Sequence, residues 1–250
     1  MAERALRVLV TRPADAAART VSRLEALGHE PILAPALDIV LQPFSLPARS
    51  LQAIAITSAS VVPALVAHRA TLDGVTIYAV GDQTADKARA TGFVDVRAPA
   101  APGGVEVLAD HIAGDVNPAG GLIVHIGARD TAGDLTGALF ARGFQAERVV
   151  AYAAEPVPTL PDEARADIAN DRLDAALFHS PRSAAAFFDL IKAEGLSLGE
   201  RVRFLCLSPA VAAMMPETQE RERILVAKTP DEDAMMELLR ALDIGEVGDR

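Results

Sequence analysis

The chain has 250 residues and a formal net charge of −10, and half of its residues are apolar. That length and composition predict a globular protein with one large core or two cores of about 120 residues each, and the negative charge argues against nucleic acids and anionic membranes as partners. The single cysteine, Cys206, excludes an internal disulfide, and every apolar run is shorter than the ~18 residues of a membrane helix, so we expect a soluble, cytoplasmic protein.

Short apolar runs that end at small polar residues recur along the chain, and an alanine-rich stretch of helical spacing follows each of them. In chain order the runs are Val8–Val10, Ile54–Ile56, Ile77–Val80, Leu122–Ile126, Ala176–Phe178 and Phe204–Leu207. Strands that alternate with helices of about ten to fifteen residues predict an α/β fold with parallel sheets. Because ligands bind at the carboxyl ends of such strands, we expect these turns to offer backbone N–H groups and hydroxyls to a ligand.

The turns follow the same order in the two halves of the chain. Arg12 and Arg129 lie 117 residues apart, and Gly28 and Gly143 lie 115 apart. Each of these glycines is placed to end a helix in a left-handed conformation. We interpret the pattern as a duplication that produces two similar lobes; the alternative is the general self-similarity of α/β proteins.

Proline clusters in two segments, 35–47 and 156–161, suggest that the chain crosses between lobes twice. Residues 1–37 and 158–250 would then form lobe one, and residues 44–150 lobe two. Sequential halves, 1–118 and 121–250, are the competing division, and composition does not decide between them.

Several familiar sites are missing from the sequence. It contains no G-x-G-x-x-G, no G-x-x-x-x-G-K-[ST] and no G-x-S-x-G, which argues against dinucleotide enzymes, P-loop NTPases and α/β-hydrolases. The histidines show no metal-ligand spacing, so a metalloenzyme is not expected. His125 and His179 lie at strand ends and could face a cleft, although packed structural groups are the more ordinary interpretation.

Three arginines, Arg12, Arg129 and Arg182, fall just past strand ends. They would concentrate positive charge at one edge of an acidic protein, which favours a carboxylate or phosphate ligand. Nearby hydroxyls could cap the following helices, and a capped helix start still presents N–H donors to an anion. Those hydroxyls belong to Thr11, Thr57, Ser58, Thr84, Ser180, Ser183 and Ser208.

Taken in order, these segments resemble the uroporphyrinogen-III synthase family over nearly the whole chain. The matching pieces are Val10-Thr11-Arg12-Pro13, Leu27-Gly28-His29-Glu30, Pro35-Ala36-Leu37, Ile56-Thr57-Ser58-Ala59, Val80-Gly81-Asp82-Gln83-Thr84-Ala85, Ile126-Gly127-Ala128-Arg129, Val150-Ala151-Tyr152 and His179-Ser180-Pro181-Arg182. The segment Leu207–Ala212 departs from the family's threonine-containing turn. Hydroxyl contacts from that turn would be missing here, although the backbone amides remain.

The resemblance implies two similar parallel-sheet lobes, flavodoxin- or Rossmann-like, joined by linker strands at 38–43 and 151–157, with a cleft between the lobes. It implies a hydro-lyase that converts linear hydroxymethylbilane to uroporphyrinogen III, with loss of water and inversion of the last pyrrole ring, in haem biosynthesis. The family uses neither metal nor organic cofactor. We expect a monomer whose partner is its linear tetrapyrrole substrate, with no nucleic acid and no membrane.

The resemblance also implies site residues. We expect Tyr152 to be the catalytic general acid, although a hinge-packing aromatic is the alternative for this residue. We expect the substrate to be bound by Thr11, Arg12, Ser58, Gly81, Thr84, Arg129, Ser180 and Arg182. A two-lobed anion-binding or sensor protein without catalysis is the competing class. A nucleotide-sugar transferase would need a diphosphate site or an acidic metal pair, and neither is found in the sequence.

Overall fold

A computed structural model describes residues 4–100, 103–131, 133–217 and 220–243. It divides the chain into unit 1, Met1–Asp38 with Glu155–Arg250, and unit 2, Ile39–Ala154. The expected lobes, 1–37 with 158–250 and 44–150, differ from these units by one to five residues at each boundary. The difference arises because the segments expected as linkers form strands that lie side by side in one sheet.

Strands and helices alternate along the described chain. The strands are β1 (Arg7–Val10), β2 (Glu30–Leu33), β3 (Leu37–Leu41), β4 (Leu51–Ile56), β5 (Thr76–Ala79), β6 (Val96–Arg97), β7 (Leu122–Ala128), β8 (Gln145–Pro156), β9 (Ala175–Phe178), β10 (Arg203–Cys206) and β11 (Ile224–Val226). The α-helices are α1 (Ala14–Ala26), α2 (Val62–Val66), α3 (Asp82–Ala90), α4 (Val105–Asp115), α5 (Leu135–Ala141), α6 (Asp162–Ala169), α7 (Pro181–Ala193), α8 (Pro209–Ala212) and α9 (Glu232–Asp243). Short 3-10 turns lie at Ala59–Val61, Pro118–Gly120 and Arg221–Arg223.

Each unit is built on one sheet with parallel pairing, which confirms the predicted α/β class. The sheet of unit 1 has the order β11-β10-β9-β1-β2, and the sheet of unit 2 has the order β3-β8-β7-β4-β5-β6. In unit 1, Leu9 of β1 packs into one apolar cluster, whereas Val8 and Val10 pack into another. Neighbouring residues of a strand point to opposite faces, so both faces of this sheet are covered.

The two sheets share one strand order once the strands are matched by the sequence repeat. Unit 1 reads β2-β1-β9-β10-β11, and unit 2 reads β8-β7-β4-β5-β6 with β3 added at its edge. Each unit therefore combines the first part of one repeat with the second part of the other. The glycines behave alike as well: Gly28 after α1 has φ 80° and Gly143 after α5 has φ 82°. These observations agree with an internal duplication.

In this strand order the direction of winding reverses once in each sheet. The reversal falls between β1 and β9 in unit 1, and between β7 and β4 in unit 2. The loops that leave the carboxyl ends of two such strands diverge, and the crevice between them is where doubly wound sheets bind ligands. We call these two places the switch points of unit 1 and unit 2.

Two further features bear on the sequence-based expectations. Cys206 on β10 is fully buried, and burial raises the pKa of its thiol to about 12, which is the behaviour of an inert core thiol. In the described part of the chain, none of the helices combines the length and the apolar character needed to cross a membrane.

We expect Phe178→Ala to lower the free energy of unfolding by about 3–5 kcal/mol, because it opens a cavity in the most aromatic part of unit 1. The Phe178 side chain is fully buried, and its ring centroid lies 5.5 Å from those of Phe187 and Phe188. Urea denaturation measures the change. Met214→Ala is the control in the same unit, since Met214 is 41% exposed, and its effect should stay below about 1 kcal/mol. Equal losses in the two variants would contradict this account of the core.

Candidate functional site

A cavity of about 540 Å³ opens at the switch point of unit 2. Thr57 and Ser58 line it directly after β4, Val80 after β5, Ala128 at the end of β7, and Tyr152 from β8. The remaining lining residues are Gly104, Val105, Glu106, Asp130, Thr131 and Gly133. The cavity thus lies where the strand order alone predicts a ligand site.

Tyr152 is a core residue that also borders this cavity. Its side chain is 6% exposed and packs within an apolar cluster of unit 2. The pairing of β7 with β8 shifts register between Gly127 and Ala128, so that Ala128 pairs with Tyr152. Such an irregularity re-aims the side chains next to it. Both interpretations of Tyr152, a packing aromatic and a group at a ligand site, are therefore compatible with its position.

The loop after β4 carries two hydroxyls with different partners. The Ser58 hydroxyl accepts a hydrogen bond of 3.2 Å from the amide of Ser60 and caps the short turn at Ala59–Val61. The Thr57 Oγ1 lies 3.2 Å from Nε2 of His125, a residue of β7. Burial, which is the larger cause, and the positive charge of Arg148 together lower the pKa of His125 to about 4, so the imidazole is neutral near pH 7.

Gly81 and Thr84 flank the start of α3, next to the cavity-lining Val80. Gly81 is extended, and a Cβ added there would meet no atom within 4 Å, so the backbone stands open at this point. Thr84 is 6% exposed in the first turn of the helix. The first amides of a helix have no partner within it and favour an anion. Asp82 in the same turn places a negative charge there and partly offsets that preference.

The arginine expected at the unit 2 site has a carboxylate beside it. Arg129 follows β7, its side chain is 47% exposed, and its Nε lies 3.8 Å from Oδ2 of Asp130. Asp130 itself lines the cavity. An ion pair this exposed contributes about 0–1 kcal/mol, so it costs little to rearrange when another anion arrives.

At the switch point of unit 1, the predicted cation is already paired with a carboxylate. Arg12 after β1 donates to Glu232, the first residue of α9, over 3.1 Å, and Thr20 donates to the same carboxylate over 2.7 Å. Nε2 of His179, after β9, lies 3.3 Å from it. Sequence reasoning missed Glu232, which is 220 residues from Arg12 and stands in no recognisable motif.

This cluster strongly favours the ionised form of Glu232. Burial alone would raise the pKa of Glu232, but its contacts with His179 and Thr20 and the positive charge of Arg12 outweigh that effect and hold the pKa at about 2. Burial likewise lowers the pKa of His179, so this histidine is mainly neutral near pH 7. The charge of Arg12 is therefore largely balanced inside unit 1.

The remaining predicted residues of unit 1 make local hydrogen bonds. Thr11 is fully buried and donates to the Leu177 carbonyl over 2.7 Å, which ties β1 to β9. Its side chain thus lies inside the sheet, not at a surface that a ligand could reach. Ser180 caps α7 by accepting from the Ser183 amide at 3.0 Å, and Arg182 lies half-buried in the first turn of that helix. In the segment Leu207–Ala212, which differs from the family's threonine-containing turn, the Ser208 hydroxyl caps α8.

We expect Glu232→Gln to lower the free energy of unfolding at pH 7 by roughly 2 kcal/mol, because the neutral amide leaves Arg12 without its counter-ion. The folded-state pKa of Glu232 is depressed, so its contribution is present above about pH 4.5 and is lost as the pH falls towards 2. Urea denaturation over this pH range should show that the free energy of unfolding falls with acid less in the variant than in the original chain.

Asp233→Asn is the matched control for that measurement. Asp233 is the next residue of α9, its side chain is 80% exposed, and it pairs with Arg23 at the surface. Its replacement should change stability by less than about 0.5 kcal/mol and leave the acid dependence unaltered. Identical behaviour of the two variants would contradict a special role for the buried carboxylate.

Comparison with known proteins agrees with the fold. A family model described as uroporphyrinogen-III synthase HemD matches residues 18–237, whereas the search of curated proteins finds no match. The solved structure of uroporphyrinogen-III synthetase from Helicobacter pylori 26695 is 15% identical, with 95% of this chain and 99% of that chain covered and a TM-score of 0.65.

Two structures from the extremely thermophilic bacterium Thermus thermophilus are also similar. A mutant uroporphyrinogen III synthase is 17% identical, with 96% of this chain and 100% of that chain covered and a TM-score of 0.46. The wild-type protein is 17% identical, with 96% and 99% covered and a TM-score of 0.42. At such identities, the Helicobacter pylori similarity establishes the fold, and the family model, which spans most of the chain, establishes the family. This chain belongs to the uroporphyrinogen-III synthase family.

Proposed function

We propose that this chain carries out the family's reaction with the cavity of unit 2 as part of its site. In that reaction linear hydroxymethylbilane loses water and closes to uroporphyrinogen III, with the last pyrrole ring inverted, in haem biosynthesis. The observation that carries the proposal is the position of Tyr152 and Ser58 on one cavity at a switch point of a doubly wound sheet.

The chemistry of the substrate fits the donors of these loop ends. A linear tetrapyrrole with eight carboxylates needs many hydrogen-bond donors and no dedicated nucleophile. A helix terminus contributes only about 0.3–1 kcal/mol to an anion, whereas micromolar binding needs about 8 kcal/mol. Direct hydrogen bonds from backbone amides and hydroxyls, together with guanidinium groups, must therefore supply most of the affinity.

We divide the proposed substrate-binding residues by how their groups are already used. Gly81 and Ser58 offer backbone donors beside an open space, and Thr84 supports the start of α3. Arg129 and Arg182 contribute positive charge. The further members of the set are Arg12, Ser180 and Thr11. Of these three, Arg12 would have to exchange Glu232 for a substrate carboxylate, Ser180 would act through the amides of the helix it caps, and Thr11 would act only by holding β1 against β9.

Tyr152 is proposed as the general acid. Its phenol would donate a proton to the leaving hydroxyl, the C–O bond would break to release water, and the positive charge would remain on the pyrrole methylene carbon. The α-carbon by which the last pyrrole ring is already attached to its neighbour then attacks this methylene carbon. The older bond from that α-carbon to the neighbouring methylene breaks, and this methylene forms a new bond to the other α-carbon of the last ring, which loses its proton and so restores the phenol. Selecting which α-carbon of the last ring attacks first is mainly a positioning effect, and each tenfold preference for the inverted isomer needs about 1.4 kcal/mol.

We expect Tyr152→Phe to lower kcat between about tenfold and a hundredfold, because proton donation is one contribution to catalysis among several. The uninverted product should increase, because a slower enzyme leaves more of the bilane to close unassisted, and unassisted closure gives that isomer. The assay incubates the enzyme with hydroxymethylbilane, oxidises the product and resolves the porphyrin isomers.

Tyr78→Phe is the matched control, because Tyr78 on β5 donates to Asp115 and does not line the cavity. It should retain the original rate and isomer ratio. Full activity of Tyr152→Phe would refute the acid role, and a thousandfold loss would contradict a site that is distributed over many donors. A chain that produced no inverted isomer at all would instead be an anion-binding protein without catalysis.

We further propose that the enzyme works as a monomer in the cytoplasm, without nucleic acid, metal or organic cofactor. The net charge of −10 and the buried Cys206 support this environment, and the chemistry described above requires no Lewis acid. Prolonged dialysis against EDTA should therefore leave the rate and the isomer ratio unchanged, and light scattering should give the mass of a single chain. A loss of activity that added divalent metal restores would overturn the cofactor-free mechanism.

A further inference from the structure

Beside the cavity of unit 2 lies a buried histidine that the proposed reaction does not use. His125 sits on β7 and is 1% exposed. Its Nε2 lies 3.2 Å from Oγ1 of Thr57, which lines the cavity from the neighbouring strand end. Its other ring nitrogen, Nδ1, is buried and has no hydrogen-bond partner among the residues that the structure describes.

These contacts select one of the two neutral forms of the ring. A neutral imidazole carries a proton on one nitrogen and a lone pair on the other. A proton on Nδ1 would leave a buried N–H donor with no acceptor in the described surroundings, which is rare in folded proteins, whereas an unpaired acceptor is tolerated better. The favoured form therefore carries its proton on Nε2 and donates it to Thr57.

The direction of that hydrogen bond decides what Thr57 can do. A threonine hydroxyl has one hydrogen to donate and two lone pairs that accept. If a lone pair receives the proton of His125, the hydroxyl hydrogen of Thr57 is not spent on the histidine. In the described part of the chain it has no other acceptor, and the open side of Thr57 is the cavity.

We propose that His125 is a positioning residue, which donates its Nε2 proton to Thr57 and so directs the Thr57 hydroxyl as a donor into the cavity, towards a carboxylate of the substrate. The identity of the acceptor rests on the function proposed above. Thr57 thereby becomes a further substrate-binding residue, and its selectivity is for an acceptor without a proton of its own. A ligand that offered only hydrogen-bond donors could use the remaining lone pair of Thr57, but it would leave the hydroxyl hydrogen without an acceptor.

Two further features keep the ring in this state. Gly127, two residues along β7, lies so near the ring that a Cβ at this position would come within 3.1 Å of Nε2. Glycine therefore lets the backbone lie against the imidazole and limits its movement. Burial and the charge of Arg148 keep the ring neutral, although Asp134 acts in the opposite sense. A ring that stays neutral and hardly rotates can hold one hydroxyl in one orientation.

The first test reads the position of the proton directly. The complete chain is labelled with ¹⁵N at histidine, and the two ring nitrogens of His125 are identified by comparison with His125→Gln. At pH 7 their chemical shifts should show a neutral ring protonated on Nε2. A ring protonated on Nδ1, or a charged ring, would overturn the proposal whatever the activity of the enzyme.

The second test follows the consequence for binding. Thr57→Val and His125→Leu remove the acceptor and the donor of the same bond, and each should raise KM about tenfold while kcat falls less than KM rises. The double variant should be little worse than either single one, because both act on one hydroxyl. Thr57→Ser and His125→Gln, which keep a hydroxyl and an N–H donor at the same places, should recover most of the loss.

Binding of uroporphyrin III, the oxidised product with the same carboxylates, provides a readout without turnover. Its dissociation constant, measured by fluorescence, should follow KM across the variants. Thermal denaturation shows whether His125→Leu is folded. If it is not, the test uses the comparison of His125→Gln with Thr57→Val and Thr57→Ser. An unchanged KM and dissociation constant in Thr57→Val would refute the role of Thr57 even where the ring is protonated on Nε2.

The two tests separate this proposal from the function on which it rests. A chain without synthase activity whose His125 carries its proton on Nε2 would refute the proposed function and leave the hydrogen-bond direction intact. An active chain whose His125 carries its proton on Nδ1 would refute the hydrogen-bond direction and leave the proposed function intact.

Discussion

The reversal of winding within each sheet is the constraint on which the rest of this structure depends. Strands on the two sides of a reversal send their loops in opposite directions, so no helix covers the space between them. In unit 2 that space is the cavity between the ends of β4 and β7, and in unit 1 it is the region where Arg12 and His179 meet. The residues proposed to bind or convert the substrate lie on or directly after the strands at these two places or a strand beside them.

The two switch points are built from equivalent strands but differ in their electrostatics. In unit 1 a carboxylate of the chain itself, Glu232, occupies the position between Arg12 and His179. In unit 2 the corresponding space is open. The hydroxyls of Thr57 and Ser58 line it at the end of β4, and its carboxylates, Glu106 and Asp130, belong to α4 and to the loop after β7. The two units thus share a strand order, but in unit 1 a carboxylate of the chain is paired with the cation at the switch point, whereas in unit 2 an open cavity adjoins the hydroxyls.

Much of the fold could be predicted from the sequence because the relevant signals are local. The apolar runs mark their strands, and glycines such as Gly28 end helices with a positive φ because few other residues adopt it without strain. The capping roles of Ser58 and Ser180 could be predicted for the same reason, since donor and acceptor lie two or three residues apart.

The composition of the site could be predicted less well, because its contacts join distant parts of the chain. No local pattern indicates that Arg12 is paired with Glu232, which is contributed by the last described helix. Thr11 fits the pattern of an exposed capping residue, yet it is buried because its hydroxyl completes the pairing of β1 with β9. The partner of Thr57 depends on the strand order, which places β7 beside β4.

The insertion of unit 2 into unit 1 has a consequence for the order in which the chain folds during synthesis. Unit 2 is continuous, so it can form as soon as residue 154 has left the ribosome, whereas β1 must wait for β9, with Thr11 and Leu177 lying 166 residues apart. Within unit 2, the amide of Gln42 donates to the carbonyl of Ala151 over 2.8 Å, so its formation brings the entering and leaving segments together. The two parts of unit 1 are then already held near each other, so unit 1 does not have to close a long unfolded loop. A substitution that slows the folding of unit 2 should therefore also delay the folding of unit 1.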